Sequence, residues 1–326
     1  LGEAATRNMA ERLRLLALPP AEYAALRQQQ THQAKAEQLV VDEVRFDNLQ
    51  RVNPKALVGL VDTQAGQPIV QAVLDKDIRR LYGTGDFEHV SYRIEEADGK
   101  RVLAITPTEK TWGPDYLRFG LGLSSDFDGD SSFNLLGSHR QTWLNDRGAE
   151  WRNDVQIGQT TSWQSEWYQP LSAGNPLFIA PHLAITQRSA DLYDDDRRIG
   201  TYDMFSTLAG VDVGSQFNRY GELRLGLVTG QVSPSLDSGP DYLEVENNRL
   251  TAGALTARLR LDQLDSANFP RSGWRSQISL FDSQQALGAE EDYAKWSGEF
   301  TSAISFDSHT FNFALFAADK LSDAPL

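Results

Sequence analysis

Two acidic clusters are the first groups in this sequence that could do chemistry. Asp126-x-Asp128-Gly129-Asp130 places carboxylates at alternate positions, and such carboxylates can converge on a calcium ion. An EF-hand loop, however, needs glycine at its sixth position and glutamate at its twelfth, and neither is present. Asp191–Asp196 has a similar composition. We therefore interpret both segments as solvated turns and predict no metal site.

The sequence also lacks the motifs expected for catalysis or for cofactor binding. The chain has no cysteine, which excludes thiolate nucleophiles and thiolate metal ligands. Its five histidines include no i, i+4 pair of the kind that binds zinc. Gly83-x-Gly85 lacks the third glycine of a dinucleotide loop, and no Gly-x-Ser-x-Gly elbow marks a serine hydrolase. The sequence predicts a chain that is not an enzyme and binds no cofactor.

The net charge and the hydropathy indicate whether the chain could bind nucleic acid or cross a membrane. The net charge of −14 and the pI of about 4.8 argue against nucleic acid, because phosphate binding needs clustered lysine and arginine. No run approaches the roughly 20 apolar residues of a transmembrane helix. A barrel strand needs only about 9–11 residues with alternate positions apolar, so a membrane location stays open.

Alternation of apolar and polar residues dominates the sequence from Tyr116 to Lys320. It divides this stretch into about eleven segments, many longer than the 5–6 residues usual for soluble strands. Full charges lie in mid-segment on the polar face, which suits a hydrated lumen better than a soluble sandwich, and most tryptophans lie near segment ends. We therefore predict an antiparallel transmembrane β-barrel over 113–326, truncated because the chain stops in a loop.

The charged side of the alternating segments supplies the candidate site. These side chains are expected to face the lumen and to form opposite-charge pairs there, in the manner of Arg258-x-Arg260-x-Asp262. His182 is expected on the same side. The candidate lumen-facing residues are Glu150, Arg152, Asp154, Arg258, Arg260 and Asp262.

The first third of the chain has helical and mixed patterns. Residues 1–38 follow a 3–4 spacing interrupted at Pro19-Pro20, and we predict a short helical segment and linker. Residues 39–112 predict a β-α-α-β-β unit. Its helices are expected near Pro54–Leu60 and Val70–Leu81, and its hairpin turns at Ala97-Asp98-Gly99. The fold class is therefore mainly β, with one small mixed domain.

Several motifs carry a resemblance to known proteins. Residues 39–112 resemble a POTRA (polypeptide-transport-associated) domain, and the joint after it and the following segments resemble a bacterial surface antigen barrel. Together the chain resembles the C-terminal part of patatin-like phospholipases of the fused type V secretion class. The motifs are Val44-Arg45-Phe46-Asp47-Asn48, Leu81-Tyr82-Gly83-Thr84-Gly85-Asp86-Phe87, Trp112-Gly113-Pro114, Tyr168-Gln169-Pro170-Leu171 and Phe269-Pro270-Arg271-Ser272-Gly273.

This resemblance implies an outer-membrane translocator with residues 1–112 in the periplasm and residues 1–38 at the end of a patatin-like domain. The implied partners are outer-membrane lipid, the fused upstream lipase as passenger, the barrel assembly machinery and periplasmic chaperones; a homo-oligomer stays open. The POTRA edge strand is expected at Val102–Ile105, where it would receive an extended segment. The alternatives are an assembly or secretion factor acting on other proteins, a chain named for its enzymatic parent, and a passive porin.

Overall fold

A computed structural model describes residues 9–14, 17–35, 39–125, 131–194, 197–217, 220–244, 249–266 and 269–322. The acidic turn Asp126–Asp130 lies outside these residues, as do Asp195 and Asp196. Among the described residues, no helix is both long enough and apolar enough to cross a membrane.

Two helices begin the described chain, α1 at Ala10–Arg14 and α2 at Pro20–Lys35. Pro20 occupies the first turn of α2, where its missing N–H costs no hydrogen bond. α2 continues to Lys35, so it includes part of the stretch within residues 1–38 that was expected to be a linker.

A small α/β unit follows, with its elements in the predicted β-α-α-β-β order. They are β1 (Glu43–Phe46), α3 (Pro54–Val58), α4 (Gln71–Gly83), β2 (Phe87–Ala97) and β3 (Lys100–Glu109). The sheet order is β1-β3-β2, with β1 parallel and β2 antiparallel to β3. Each predicted helix lies within two residues of its expected bounds.

Local signals explain how this unit folds. Asp98 and Gly99 have φ of 54° and 75°, the left-handed pair that a tight two-residue hairpin requires. Asn53 caps α3 by accepting a hydrogen bond from the N–H of Lys55 at 3.0 Å. The apolar faces of the helices and sheet then share one core, formed by Val41, Val52, Leu57, Leu74, Leu81, Phe87, Val90, Leu103 and Ile105.

The prediction that Val102–Ile105 forms the exposed edge was wrong. These residues lie in β3, the central strand, and all four are buried. The hairpin pattern in the sequence identifies the β2–β3 pair, but it does not show that β1 returns to pair with β3. The long free edge of the unit is therefore β2.

The rest of the chain forms an eleven-stranded antiparallel sheet, in agreement with the predicted number of strands. Each strand pairs with its neighbours in sequence, so the order runs from β4 to β14 without a crossover. The strands are β4 (Asp115–Ser125), β5 (Ser131–Gln141), β6 (Glu150–Gly158), β7 (Thr160–Pro170), β8 (Leu177–Asp194), β9 (Arg197–Gln216), β10 (Gly221–Ser238), β11 (Leu250–Asp262), β12 (Gly273–Ser283), β13 (Tyr293–Phe306) and β14 (His309–Lys320).

Three of these strands are much longer than the others. β8, β9 and β10 have 18, 20 and 18 residues, whereas β4 and β5 have 11 each. The chain enters β4 directly from the small α/β unit. We call the end of the sheet where β4 begins the near end, and the opposite end the far end.

The small α/β unit packs against turns at the near end. Trp143, in the turn between β5 and β6, contacts the core of the unit. In the same turn, the carbonyl of Asp146 accepts a hydrogen bond from the side chain of Asn53 at 2.8 Å. Gly174, between β7 and β8, lies against the backbone of Lys55. Contacts from two turns fix the unit to this end of the sheet.

Candidate functional site

The eleven-stranded sheet has one apolar face that is exposed along its whole width. Side chains at alternate positions point to opposite faces of a strand, so each strand contributes every second residue. Phe119 is 80% exposed and Leu315 is 68% exposed. Exposure of apolar side chains to water over so large an area is unfavourable. Members of this face are Leu117, Phe119, Leu121, Leu123, Leu223, Leu225, Leu227, Phe311, Phe313 and Leu315.

The opposite face is polar and carries a chain of ion pairs, which we call the interior network. It begins at Glu150 on β6, whose two carboxylate oxygens pair with Arg140 on β5 and with Arg152 on β6, both at 2.6 Å. Arg152 also reaches Glu166 on β7 at 3.1 Å. Two of the predicted residues, Glu150 and Arg152, therefore lie in this network.

Arg224 on β10 completes the interior network and is buried, as is its partner Asp212. Its guanidinium pairs with Glu166 on β7, with Glu222 at 2.5 Å and with Asp212 on β9 at 3.4 Å. Burying a lone guanidinium would be very costly, and three carboxylates compensate for it here. The network thus contains three arginines and four carboxylates and links strands from β5 to β10.

Two aromatic rings support the arginines from one side. The guanidinium carbon of Arg152 lies 4.8 Å from the ring centre of Tyr168, and that of Arg224 lies 5.1 Å from the ring centre of Phe178. The two rings are themselves 4.6 Å apart. Stacking on a ring stabilises a planar cation and holds its orientation. The network is therefore fixed by packing as well as by charge.

Glycines provide the space that this arrangement needs. A Cβ at Gly214 would collide with the ring of Phe178, and a Cβ at Gly226 would collide with the carboxylate of Asp212. Gly214 lies opposite Arg224 on β9, and Gly226 lies two residues after Arg224 on β10. A side chain at either position would displace a partner of that arginine.

The other predicted residues lie on the same face but are not in the interior network. Asp154, Arg258 and Arg260 line a cavity of about 580 Å³ on the polar face, together with Arg152, His182 and Arg224. Asp262 lies opposite Arg275 in the β11–β12 register and accepts a hydrogen bond from the N–H of Leu264 at 3.1 Å.

The expected pairing on β11 was wrong for the described residues. Within them, Arg258, Arg260 and Asp262 form no ion pair. The three side chains share one face of β11 at two-residue intervals, which long side chains can bridge, but the carboxylate of Asp262 instead accepts a hydrogen bond from the N–H of Leu264. The predicted pairing of Glu150 with Arg152 does occur, at 2.6 Å, because both side chains turn toward Arg140 and Tyr168.

Sequence reasoning did not single out Glu166, Asp212, Glu222 or Arg224. A signal was present, because Glu150-x-Arg152 and Glu222-x-Arg224 repeat the same spacing on two strands. The spacing cannot show, however, that Glu166 joins the two pairs, since that contact depends on which strands lie between them. His182 lies near Asp212, with its Nδ1 3.9 Å from the carboxylate.

A second polar contact lies where the small α/β unit meets the near end. Asp86 lies near the side chain of Trp143, and Arg140 and Glu150 of the interior network lie close enough to influence its charge. Burial raises the pKa of Asp86 above its ordinary value, although the neighbouring side chains of Trp143 and Thr84 oppose this shift. The junction is thus in electrostatic contact with the network.

No metal site is found in the part of the chain that the structure describes, since no group of three or more histidine, cysteine, aspartate or glutamate side chains converges there. In the second acidic cluster, Asp191 pairs with Arg198 at 3.5 Å and accepts a hydrogen bond from the hydroxyl of Thr201 at 2.7 Å. These contacts give Asp191 a structural role at the far end.

Comparison with known proteins identifies the family of this two-faced sheet. A model described as the Omp85 superfamily domain matches residues 108–321, which contain all of β4–β14. The chain belongs to the Omp85 superfamily. No match was found among curated proteins.

Two solved structures are similar to this chain in fold. BamA from Haemophilus ducreyi lacking POTRA domains 1–3 has a TM-score of 0.59 and 14% identity, over 88% of this chain and 56% of that one. CdiB from Acinetobacter baumannii has a TM-score of 0.50 and 11% identity, over 88% and 54%. The chain therefore spans little more than half the length of these structures, and the likeness is one of fold.

Proposed function

We propose that this chain is the translocator module of a bacterial outer-membrane protein. The observation that carries the proposal is the two-faced sheet of an Omp85 superfamily member, with an exposed apolar face and a charged face opposite. Hydrocarbon can cover the first face, and the second can line a hydrated lumen once further strands close the barrel. Polypeptide, guided from the periplasm, is the material that such a module would handle.

In the proposed orientation the small α/β unit, with residues 1–112, lies in the periplasm. The unit packs on the near end, while the three longest strands extend toward the far end. Outer-membrane barrels carry their larger projections outside the cell, which supports the far end as the external one. Residues 39–112 would then act as a single POTRA domain.

The free edge of β2 supports a role in holding an extended segment. Asp42 and Asp47 donate their N–H groups to the carbonyls of Arg101 and Ile105, so the odd-numbered residues of β3 point toward β1. The even-numbered residues of β3 then bond to the odd-numbered residues of β2. The main-chain groups of Tyr92 and Ile94 are therefore directed to the free edge, where an incoming strand could pair.

A groove beside this edge would receive the side chains of the incoming strand. It has a volume of about 450 Å³ between α4 and β2 and is lined by Ile78, Arg79, His89, Val90 and Tyr92 among others. Val90, Tyr92 and Ile94 share the face of the sheet that packs on the helices. Every second side chain of an added strand would enter this groove.

We further propose that the passenger is a patatin-like lipase fused upstream of Leu1, in line with the resemblance of residues 1–38. The lipid partners are those of the outer membrane, and insertion would use the barrel assembly machinery and periplasmic chaperones. The chain itself carries the transport role, and the catalytic elements belong to the upstream domain.

Proline substitution at the β2 edge tests the proposal. Ile94→Pro removes an N–H that faces the free edge and leaves the β2–β3 hydrogen bonds in place, a position where edge strands tolerate proline. In the full-length protein we expect Ile94→Pro to lower protease-accessible surface lipase in intact cells by about tenfold, the loss of roughly 1.4 kcal/mol of binding.

Ile94→Ala is the matched control, because it removes the same side chain and keeps the N–H. Its surface display should stay close to that of the unaltered protein, and heat-modifiable electrophoresis should show that both variants insert their barrels. Equal display by the proline and alanine variants would refute capture by β2.

A second candidate is an assembly or secretion factor that acts on other polypeptides. The free edge of β2 favours this second function, because pairing through main-chain groups depends little on the sequence of the incoming strand. A Gly-x-Ser-x-Gly elbow encoded upstream would support the fused lipase, and further POTRA domains upstream would support the factor.

A further inference from the structure

Two arginines lie on the interior face of β11, Arg258 and Arg260. Arg258 and Arg260 line the 580 Å³ cavity and are exposed to it. Among the residues that the structure describes, neither forms an ion pair. Arginine is weakly hydrated and its planar fork suits carboxylates, so a lumen position without a partner leaves its binding capacity unused.

Neighbouring acids do not satisfy these arginines. Glu222 lies directly opposite Arg260 in the β10–β11 register, yet its carboxylate pairs with Arg224 at 2.5 Å. Arg258 lies opposite Arg224, and like charges in register repel each other. The carboxylates of Glu222 and Asp212 are thus committed to Arg224, and β11 presents two cations beside it.

The neighbouring strand adds hydrogen-bonding groups to this surface. Ser279 lies beside Arg258 and Gln277 beside Arg260 in the β11–β12 register, and both line the same cavity. A hydroxyl and an amide can each donate to a carboxylate oxygen. We call the four residues Arg258, Arg260, Gln277 and Ser279 the β11–β12 cationic site.

The spacing of the arginines matches one kind of ligand. Residues i and i+2 of a strand lie on one face about 6.8 Å apart. An extended polypeptide with acidic residues at every second position repeats that distance and could offer one carboxylate to each guanidinium. A compact or helical acidic segment would present its carboxylates at other intervals.

We propose that the β11–β12 cationic site binds an extended polypeptide segment with acidic residues at alternate positions. This proposal rests on the proposed function, because it describes the chemistry of the segment that would pass through the lumen. It can fail separately, because it concerns binding to β11 and not capture by β2 or surface display.

Peptide binding to the full chain in detergent tests the site. The probe is a short fluorescent peptide in which aspartate alternates with threonine, measured by anisotropy at physiological ionic strength. Arg258→Gln together with Arg260→Gln should weaken its binding by about tenfold or more, as expected for the loss of two charge-assisted contacts. The chain's net charge of −14 repels such a peptide overall, so binding reports the local site.

Lys100→Gln together with Arg101→Gln is the matched control. It removes the same charge at the hairpin tip of the small α/β unit and should leave peptide affinity unchanged. A peptide with the same number of aspartates placed at every third position should bind more weakly, because successive carboxylates then lie on opposite faces of an extended chain. Undiminished binding by the β11 variant, equal binding of the two peptides, or displacement by free glutamate at the peptide's concentration would each overturn the proposal.

Discussion

The guanidinium of Arg224 on β10 binds the carboxylate of Glu166 on β7 across the two strands that lie between them. The two residues are 58 positions apart in sequence. This contact spans the polar face and joins the arginines of β5 and β6 to the carboxylates of β9 and β10. It ties four neighbouring strands together through side chains as well as through the hydrogen bonds of the sheet.

We expect Arg224→Met to destabilise the sheet by about 3–5 kcal/mol, because Glu222 and Asp212 would lose the arginine that neutralises them and Glu166 would keep Arg152 alone. Urea titration of the detergent-folded chain, followed by tryptophan fluorescence, measures the change in the free energy of unfolding. Arg258→Met is the control and should change this free energy by no more than about 0.5 kcal/mol. Equal effects of the two substitutions would show that the interior network contributes nothing to stability.

The space at Gly214 gives a second prediction. Gly214→Ala should destabilise the sheet by about 1–3 kcal/mol, since the added Cβ would force the ring of Phe178 away from Arg224. Gly137→Ala is the matched change in β5, where the nearest atoms to a new Cβ lie at 3.9 Å. The same titration compares the two, and a larger loss at Gly137 would contradict the packing described.

Trp143 should control the attachment of the small α/β unit. Trp143→Ala removes a side chain that packs on the core of the unit, and it should cost about 3–5 kcal/mol of local stability. Faster amide hydrogen exchange in β1–β3 is the expected result. Trp112→Ala, at a tryptophan that is 62% exposed, should leave exchange unchanged. Unaltered exchange in the Trp143 variant would mean that the two parts are held by other contacts.

Asp86 gives the junction a pH dependence whose sign can be worked out. Burial raises the pKa of its carboxyl above the ordinary 3.8, so the folded chain binds the proton more tightly than the unfolded chain. The stability that this group contributes is complete below pH 3.8 and is lost as pH rises through the higher pKa of the folded state.

Asp86→Asn keeps the size and polarity of the side chain but cannot ionise. We expect this variant to gain stability relative to the unaltered chain as pH rises from 3.8 toward neutrality, and to differ little below that range. Hydrogen exchange of the β3 amides, compared between the two proteins at each pH, measures the difference. A difference that shrinks as pH rises would contradict the sign.

The sequence was most informative where structure depends on local periodicity. Alternation gave the eleven strands, and Asp98-Gly99 gave the hairpin, because both signals act between near neighbours. The sequence did not identify Val102–Ile105 as part of the central strand. β3 is central only because β1 pairs with it in parallel on the side away from β2.

The same distinction between local and long-range signals applies to the candidate site. Alternation was enough to assign Glu150, Arg152 and Arg258 to a common polar face, since side-chain direction follows from strand period alone. The partners of those residues depend on register across several strands and on the rotamers of long side chains. Arg224 and Glu166 meet only after β8 and β9 have been placed between them.

The length of β8, β9 and β10 has a consequence for what meets the protein from outside. About 9–11 residues suffice to cross the hydrocarbon layer, so nearly half of each of these strands would stand clear of it. In the proposed orientation, an antibody or phage approaching the cell would therefore encounter a three-stranded ribbon that is ordered by the hydrogen bonds between its strands.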